Sequence, residues 1–387
     1  MISTATLTML LRGKWHRLLD TAVDAIAPLL PLQRKVVFDN FGGRGMGDDP
    51  KYIALYLREH YPDARLIWLA DNPQEEFPEG IEPVGIYSRK ARFHLRTAKV
   101  WVDNIRSFPK PEKRRGQFYL QTWHGGMLGI KAAEAQIEDR LPAEYVAAAK
   151  RDAGMTDLMY ADSDFMLGLF RTAFWYGGQT LKCNLPRLAP LFRDTEETAR
   201  RIRARYGIAH DRKILLYAPT FRKAAGTEPY RWDYGKILSA LGERFGGRFT
   251  MILRLHPNIA ALGTELCTNH DIADASAHPD MQELIAAADA MVTDFSSAAF
   301  DCALTRKPVF LYAPDAQAFT ATERNLLFPP AELPFRMNET VGQLATEIAA
   351  FDARDYDARL TAFFEQHGLD EHGKGDRQVA QIIAGRL

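Results

Sequence analysis

Cysteine is scarce in this sequence. The three that occur, Cys183, Cys267 and Cys302, stand far apart and lack partners at metal-ligand spacing. Secreted disulfide scaffolds are rich in paired cysteines, so this usage favours a reducing compartment. It also argues against a cysteine-based zinc cluster. We therefore expect a cytoplasmic protein without structural zinc.

The sequence also lacks a long apolar run and an excess of charge of either sign. No segment approaches the roughly 20 apolar residues that a membrane-spanning helix requires. Arg12, Lys14 and Arg17 occur before any secretory apolar core has developed. Lysine plus arginine and aspartate plus glutamate both count 49, so no global basic field points to nucleic acid as a partner.

What is present is the composition of folded, enzyme-like domains. Hydrophobic residues make up 47% and charged residues 25% of the chain, which places it with ordinary globular proteins. Its 387 residues exceed the size at which one core usually keeps growing. We therefore expect two domains of roughly 150 to 200 residues each.

The first thirty residues carry an apolar stripe at helical spacing. The stripe runs from Leu7 to Ile26, includes Trp15, and is flanked by Arg12 and Arg17. A basic amphipathic helix in a membrane interface has this pattern, and so does a helix that packs on its own domain or on a partner. We predict that residues 1–34 associate with a membrane, and the packed helix is the alternative.

From Lys35 onward, β-branched and aromatic runs alternate with helical patterns. This alternation indicates a parallel sheet covered by helices on both faces. The pattern loosens around Gly177 to Phe192 and then starts again. The sequence therefore predicts an α/β fold of GT-B type, in which two doubly wound Rossmann-like domains, residues 35–190 and 191–387, face a central cleft.

Three polar clusters follow directly on predicted strands of the second half. They are Ala218 to Arg222, Arg254 to Pro257 and Thr293 to Ser297. Ligands of open parallel sheets bind at the carboxyl ends of the strands, so the three clusters should converge on one crevice.

The chemistry of these clusters suits a diphosphate. Ser296 and Ser297 precede a helix, where backbone N–H groups and partial positive charge favour an anion. Arg222 and Arg254 offer fixed charge, and His256 can donate to a phosphate oxygen. Each residue also has an ordinary explanation, as a helix cap, an ion pair or a core histidine. The predicted donor-binding residues are Thr220, Arg222, Arg254, His256, Asp294, Ser296 and Ser297.

In the first half, His124 follows a predicted strand and precedes two glycines. A neutral imidazole there could accept the proton of an attacking alcohol, a role that typically contributes about a hundred- to ten-thousand-fold. The alternative is a buried histidine that bridges loops.

Two other motifs have weaker claims. Asp162-Ser163-Asp164 has the spacing of a metal-dependent glycosyltransferase motif, but it lies where a strand meets a helix, and we favour a helix cap by Asp164. The glycines between Gly42 and Gly47 lack the dinucleotide spacing and a following Gly-Lys-Ser or Gly-Lys-Thr. We predict no cofactor. No metal-ligand cluster stands out, so the sequence leaves metal dependence open.

The ordered motifs between Lys35 and Asp315 resemble the CDP-glycerol glycerophosphotransferase family of teichoic acid and capsule synthesis. The most specific matches are Gln121 to Gly125, Tyr217 to Arg222, Arg254 to Pro257, Thr293 to Ser297, Phe300, Asp301, Lys307 and Pro308.

The resemblance implies a GT-B fold with an acceptor-side first domain and a CDP-donor-binding second domain. It implies that His124 and His256 are catalytic, and it places Gly125, Lys131, Arg187 and Arg324 on the acceptor side. Similar enzymes are peripheral membrane proteins that extend a lipid-linked acceptor. This implies a location on the cytoplasmic face of the cell membrane.

We therefore predict a transferase that moves glycerol phosphate, or a related polyol phosphate, from a CDP-alcohol to a lipid-linked or polymeric cell-surface glycan and releases CMP. The alternatives are a nucleotide-sugar glycosyltransferase of the same fold and an inactive scaffold in polymer assembly. The family's usual His-Gly-Thr-Pro-Leu-Lys is here His124-Gly-Gly-Met-Leu-Gly129. The sequence therefore does not specify the alcohol or the acceptor.

Overall fold

The computed structural model describes residues 22–106, 110–124, 134–222, 227–267, 270–322 and 326–387. Within these residues the chain forms two parallel β-sheets, of seven and six strands, with helices between the strands. The predicted pair of doubly wound domains is confirmed. We call the unit built on the seven-stranded sheet the first domain and the other the second domain.

The strands are β1 Gln33–Asp39, β2 Arg65–Ala70, β3 Ile81–Gly85, β4 Ala98–Asp103, β5 Phe118–Gln121, β6 Leu158–Ala161, β7 Gln179–Lys182, β8 Arg212–Tyr217, β9 Arg248–Leu253, β10 Ile272–Asp274, β11 Ala290–Thr293, β12 Val309–Tyr312 and β13 Met337–Asn338. The α-helices are α1 Asp48–His60, α2 Arg89–Thr97, α3 Ala143–Met155, α4 Asp164–Ala173, α5 Thr195–Tyr206, α6 Tyr234–Phe245, α7 Gly263–Leu266, α8 Met281–Ala287, α9 Ala298–Ala303, α10 Ala316–Thr322, α11 Val341–Ala349, α12 Ala353–Gln366 and α13 Gly375–Ala384.

Both sheets have a point at which the strand order reverses. The first sheet runs β3-β2-β1-β4-β5-β6-β7, so its order reverses between β1 and β4. The second runs β10-β9-β8-β11-β12-β13 and reverses between β8 and β11. Loops diverge at such a point and leave a crevice at the carboxyl ends of the strands, where ligands of these folds bind.

The strands are nearly continuous apolar runs because both faces of each sheet are covered. In the first sheet Val36 and Phe38 belong to an apolar core that also contains Ile214 and Leu216 of the second. The opposite face of the first sheet has a separate, smaller core that includes Val37. One continuous core thus joins the two domains.

The carboxyl ends of the two sheets face each other. Helix α1 follows β1, and its Lys51 Nζ lies 2.5 Å from Asp280 Oδ2, in the loop after β10. The hydroxyl of Tyr52 donates to the same carboxylate. A Cβ atom on Gly47 would lie 3.2 Å from the Pro279 carbonyl oxygen, so the glycine-rich loop after β1 also packs closely against the second domain.

The C-terminal segment returns to the first domain, which differs from the predicted assignment of all residues 191–387 to the second. The Asp370 N–H donates to the carbonyl of Asp162, and the Asn184 side chain donates to the carbonyl of Asp370. Buried residues of α13 pack in the shared core. The segment crosses back because its apolar face completes the cover of the first sheet.

Most of the predicted N-terminal helix lies outside the described residues. Residues 22–26 are helical, and Asp24 pairs with Arg92 and Arg96 on α2. The Arg114 guanidinium donates to the carbonyl of Ala27. The end of the predicted segment therefore packs on the first domain, while Leu29 remains 82% exposed.

Candidate active site

Two asparagines occupy the reversal point of the first sheet. Asn40 follows β1 and Asn104 follows β4, and both are fully buried. The Asn104 Nδ2 donates to Asn40 Oδ1 at 2.8 Å and to Asp48 Oδ2 at 3.2 Å, and its Oδ1 accepts the N–H of Phe41 at 2.8 Å. These bonds connect the ends of the two strands that flank the crevice.

His124 lies just after β5 and has a defined tautomer. Its Nδ1 is 2.7 Å from the backbone carbonyl oxygen of Asn104. A carbonyl oxygen only accepts hydrogen bonds, so Nδ1 carries the proton and Nε2 of the neutral ring carries the lone pair. The imidazole is exposed, stacks on Trp123 at 4.6 Å between ring centres, and meets the edge of Phe41 at 5.4 Å.

The second sheet brings two of the predicted clusters together at its own reversal point. Asp294, after β11, accepts the backbone N–H of Thr220, after β8, at 2.9 Å. It also accepts a hydrogen bond of 2.5 Å from Arg222 Nη1. The Oγ1 of Thr220 is buried and has no hydrogen-bond partner among the described residues. The first and third clusters therefore share one network.

The guanidinium of Arg222 forms ion pairs with two carboxylates. Its Nε and Nη2 each donate at 2.9 Å to the two oxygens of Asp315, and its Nη1 donates to Asp294. The guanidinium carbon also lies 5.4 and 5.2 Å from the ring centres of Phe295 and Phe319, which stack on each other. This is the structural ion pair that the sequence left as the alternative. A diphosphate contact by Arg222 or Asp294 would require breaking it.

The Arg254 guanidinium has fewer hydrogen-bond partners than that of Arg222. Its Nη1 donates to the carbonyls of Leu255 and Ser276 at 2.9 and 2.6 Å, while its buried Nε has no partner among the described residues. Burial lowers the pKa of the Arg254 guanidinium below its ordinary value. A desolvated cation of this kind is stabilised by an incoming anion.

His256 is held in the opposite tautomer to His124. Its Nδ1 accepts the N–H of Asn258 at 3.2 Å, so in the neutral ring Nε2 carries the hydrogen and can donate. The ring is exposed and stacks on Phe221 at 5.4 Å between centres. This contact joins the second predicted cluster to the first.

Ser296 and Ser297 lie half-buried at the start of α9. The Oγ of Ser296 accepts the N–H of Ala298 at 3.3 Å. Ser297 is the N-cap residue, but its side chain makes no capping hydrogen bond. At the start of this helix the Ser296 hydroxyl therefore accepts one long hydrogen bond, and the Ser297 hydroxyl takes no part in capping.

Arg187 lies in a buried cluster of acids between the domains. It is 3% exposed, and its Nη2 is 3.1 Å from Asp301 Oδ1 of the second domain. Its Nε and Nη1 lie 3.7 and 3.9 Å from Asp48 and Asp49 of the first domain. The expected acceptor contact is not supported by this position, because the guanidinium faces three carboxylates and little solvent.

Burial dominates the ionisation of this cluster. It raises the pKa of Asp49 to about 7, with Arg187 opposing the rise and Asp48 adding to it. Burial also raises the pKa of Glu371, which accepts the N–H groups of Leu185 and Gly373, to about 7. The junction between the domains therefore carries carboxyl groups that titrate near neutral pH.

The Asp162-Ser163-Asp164 motif does not form a metal pair. Asp162 is fully buried and neither carboxyl oxygen has a hydrogen-bond partner among the described residues, and burial raises its pKa well above the usual range. Ser163 caps α4 by accepting the N–H of Met166, whereas Asp164 is exposed and pairs with Lys182. The cap is present, but serine provides it.

Three predicted acceptor-side residues, Gly125, Lys131 and Arg324, lie outside the described residues. In the part of the chain that is described, no group of three or more His, Cys, Asp or Glu side chains is arranged to hold a metal ion. No helix there is both long and apolar enough to cross a bilayer.

The residues that sequence reasoning missed are Asn40, Asn104, Asp48 and Asp49. The adjacent acids at the start of α1, directly after a glycine-rich loop, were a usable signal. The sequence pointed to the two asparagines only through their position, because each directly follows the last residue of a strand.

Two parallel sheets, with one group of polar residues at the carboxyl ends of the strands in each, define a GT-B-type α/β protein. A family model for CDP-glycerol:poly(glycerophosphate) glycerophosphotransferases matches residues 25–385. The chain belongs to this family.

Several proteins of known function are similar to this chain. A teichoic acid poly(glycerol phosphate) polymerase of Bacillus spizizenii is 28% identical over 94% of this chain and 95% of its own length. Polymerases of the same description from Staphylococcus epidermidis and Bacillus subtilis are 28% and 29% identical. The chain spans about half the length of these two relatives, 50% in each case.

Solved structures agree with the fold. The wall teichoic acid polymerase TagF superposes with a TM-score of 0.83 and 26% identity, over 100% of this chain and 98% of that one. A UDP co-structure of Staphylococcus aureus MnaA, at 12% identity and a TM-score of 0.52, is similar in fold alone.

Proposed function

We propose that this protein transfers glycerol phosphate, or a related polyol phosphate, from a CDP-alcohol to a polymeric or lipid-linked glycan and releases CMP. One observation carries the proposal. The imidazole of His124, at the carboxyl edge of the first sheet, is fixed by the Asn104 carbonyl in the tautomer that accepts a proton at Nε2. Family membership and the relatives' names as glycerol phosphate polymerases support it.

In the proposed reaction an acceptor hydroxyl attacks the β-phosphorus of the donor. The new O–P bond forms as the bond from that phosphorus to the bridging oxygen breaks, and CMP leaves with the bridging oxygen. The hydroxyl proton passes to Nε2 of His124. Positioning and charge neutralisation supply most of the rate enhancement in such phosphoryl transfers.

The donor side requires groups that neutralise a diphosphate. Arg254 is the favoured cation, because its guanidinium is desolvated and incompletely paired. His256 offers an Nε2–H donor that can stabilise the leaving CMP. Ser296 and Ser297 add hydroxyls, and Thr220 adds a buried one, while Arg222 and Asp294 hold the loops in register.

The acceptor side and the location of the protein are also part of the proposal. We place the enzyme on the cytoplasmic face of the cell membrane, with a lipid-linked glycan as acceptor. Ile26, the last residue of the predicted apolar stripe, and Leu29, three residues later, are 57% and 82% exposed. Exposed apolar side chains beside a basic helix are suited to a membrane interface.

The test is a donor panel. The purified chain is incubated with a short glycerol phosphate acceptor and with CDP-glycerol, CDP-ribitol or UDP-glucose, and the released nucleotide is separated by chromatography. We expect acceptor-dependent release of CMP from a CDP-alcohol. Release of UDP from the sugar nucleotide would instead favour a glycosyltransferase, and no release from any donor would favour a scaffold.

A further inference from the structure

The backbone carbonyl that orients His124 belongs to a residue whose side chain is itself held in place. Asn104 is fully buried, and its amide makes hydrogen bonds to Asn40, Asp48 and the backbone of Phe41. Phe41 in turn meets the imidazole edge-on. Asn104 therefore holds both the hydrogen-bond acceptor behind the imidazole and the aromatic ring beside it.

The backbone conformation of Phe41 also indicates that the surrounding contacts fix this arrangement. Its φ is 49°, a left-handed conformation that a bulky residue rarely adopts. Such a conformation persists only where surrounding contacts determine it. The bond from the Phe41 N–H to Asn104 Oδ1, at 2.8 Å, is one such contact.

Asn104 is also connected to the second domain through a series of polar contacts. Asp48, which accepts from Asn104 Nδ2, lies 3.7 Å from Arg187 Nε, and Arg187 Nη2 lies 3.1 Å from Asp301. An unbroken series of polar contacts thus runs from His124 across the domain junction. On its other side the imidazole stacks on Trp123, and the Arg106 guanidinium lies over the Trp123 ring, 5.4 Å from its centre.

We propose that Asn104 is a positioning residue for His124, and that Asp48 and Arg187 connect its position to the second domain. The proposal rests on the proposed function, since it assumes that His124 accepts the acceptor's proton. Asparagine suits this place because it donates to two oxygens and accepts from one N–H. An aspartate would present a second carboxylate to Asp48 and lose both donors.

The primary test compares Asn104→Ala with a matched control, Asn184→Ala. Asn184 is also buried, its side chain bonds the carbonyl of Asp370 and the N–H of His372, and none of its contacts among the described residues is with His124. A displacement of about 1 Å in a reacting group can cost about a hundredfold. We expect Asn104→Ala to lower kcat about ten- to a hundredfold with donor KM within about twofold, and Asn184→Ala to keep kcat within about threefold.

A double variant separates positioning from general damage. If Asn104 acts through His124, Asn104→Ala should cause no further loss in a His124→Ala background. Further loss of tenfold or more there, or wild-type kcat in the Asn104→Ala single variant, would overturn the proposal. Should Asn104→Ala fail to fold, Asn104→Ser, which is uncharged and keeps a hydroxyl that can donate to Asp48 or Asn40, decides the question by the same comparison.

The outcomes also distinguish this proposal from the proposed function. Full activity in His124→Ala refutes the role of His124 as the base. An inactive His124→Ala together with a fully active Asn104→Ala refutes the positioning role alone.

Discussion

Replacing Arg187 with methionine tests whether the buried ion cluster holds the two domains together. The guanidinium is 3% exposed and faces Asp301, Asp48 and Asp49 within 4 Å. Methionine keeps most of the volume and the flexible apolar stem, so the change removes chiefly the charge and its hydrogen bonds. Loss of one partner from a buried ion pair typically destabilises a protein by about 3 to 5 kcal/mol.

The destabilisation should depend on pH in a defined direction. Burial already raises the pKa of Asp49 to about 7 against the opposing effect of Arg187, so the variant's native state should bind protons even more strongly. A raised folded pKa contributes stability at low pH that is lost as pH rises through it. The penalty of Arg187→Met should therefore be larger at about pH 8 than at about pH 6.

The assay is guanidinium chloride unfolding at both pH values, with Arg200→Met as the control. Arg200 pairs with Glu197 on the surface of α5, and both side chains are more than half exposed. Such helical surface pairs contribute about 0.3 to 0.5 kcal/mol. A penalty for Arg187→Met below about 1 kcal/mol, or one that does not grow with pH, would show that the ion cluster does not hold the domains together.

Two further predictions concern the acid motif and the donor site. Asp162→Asn should leave transfer activity unchanged, with or without a chelator, and should flatten the fall in unfolding free energy with rising pH, because burial raises the pKa of this carboxyl. A tenfold loss of activity would restore the metal-motif interpretation. Ser296→Ala combined with Ser297→Ala should weaken CMP binding about tenfold in calorimetric titration, with little change in Tm since Ser297 makes no capping bond. Unchanged affinity with a large fall in Tm would mean that the serines only cap the helix.

The interior strands could be predicted because each is a buried apolar run. The strands β1, β2 and β11, for example, are buried over most or all of their length. The strands at the two edges of the first sheet, β3 and β7, are harder to predict. Pro83 and Gly85 interrupt the pattern of β3, and β7 is polar and largely exposed.

The positions of the site residues could be predicted, whereas their partners could not. Strand ends identified His124, Arg254 and Asp294 because parallel sheets bind ligands there. Nothing local to Arg222 shows that Asp294 and Asp315, 72 and 93 residues away, would neutralise it. Contacts of that kind depend on tertiary packing and have no signature in the neighbouring sequence.

The return of the C-terminal segment had no local signal either. Helix α13 has the amphipathic pattern of any surface helix. Its place on the first domain depends on contacts with a distant segment, such as the bond from the Asn184 N–H to Gln378. A domain boundary that is predicted from changes in the sequence pattern cannot show that a later segment packs on the earlier domain.

Transfer of intact glycerol phosphate with His124 as the base can be measured by following two labels through the reaction. CDP-glycerol carries one radioactive label at the β-phosphorus and another in the glycerol carbons, and the chain is supplied with a glycerol phosphate acceptor. We expect both labels to enter the polymer in equal amounts, matched by CMP release, and we expect His124→Gln to bind the donor but transfer neither label. Transfer of glycerol carbon without phosphorus, or undiminished transfer by His124→Gln, would contradict this mechanism.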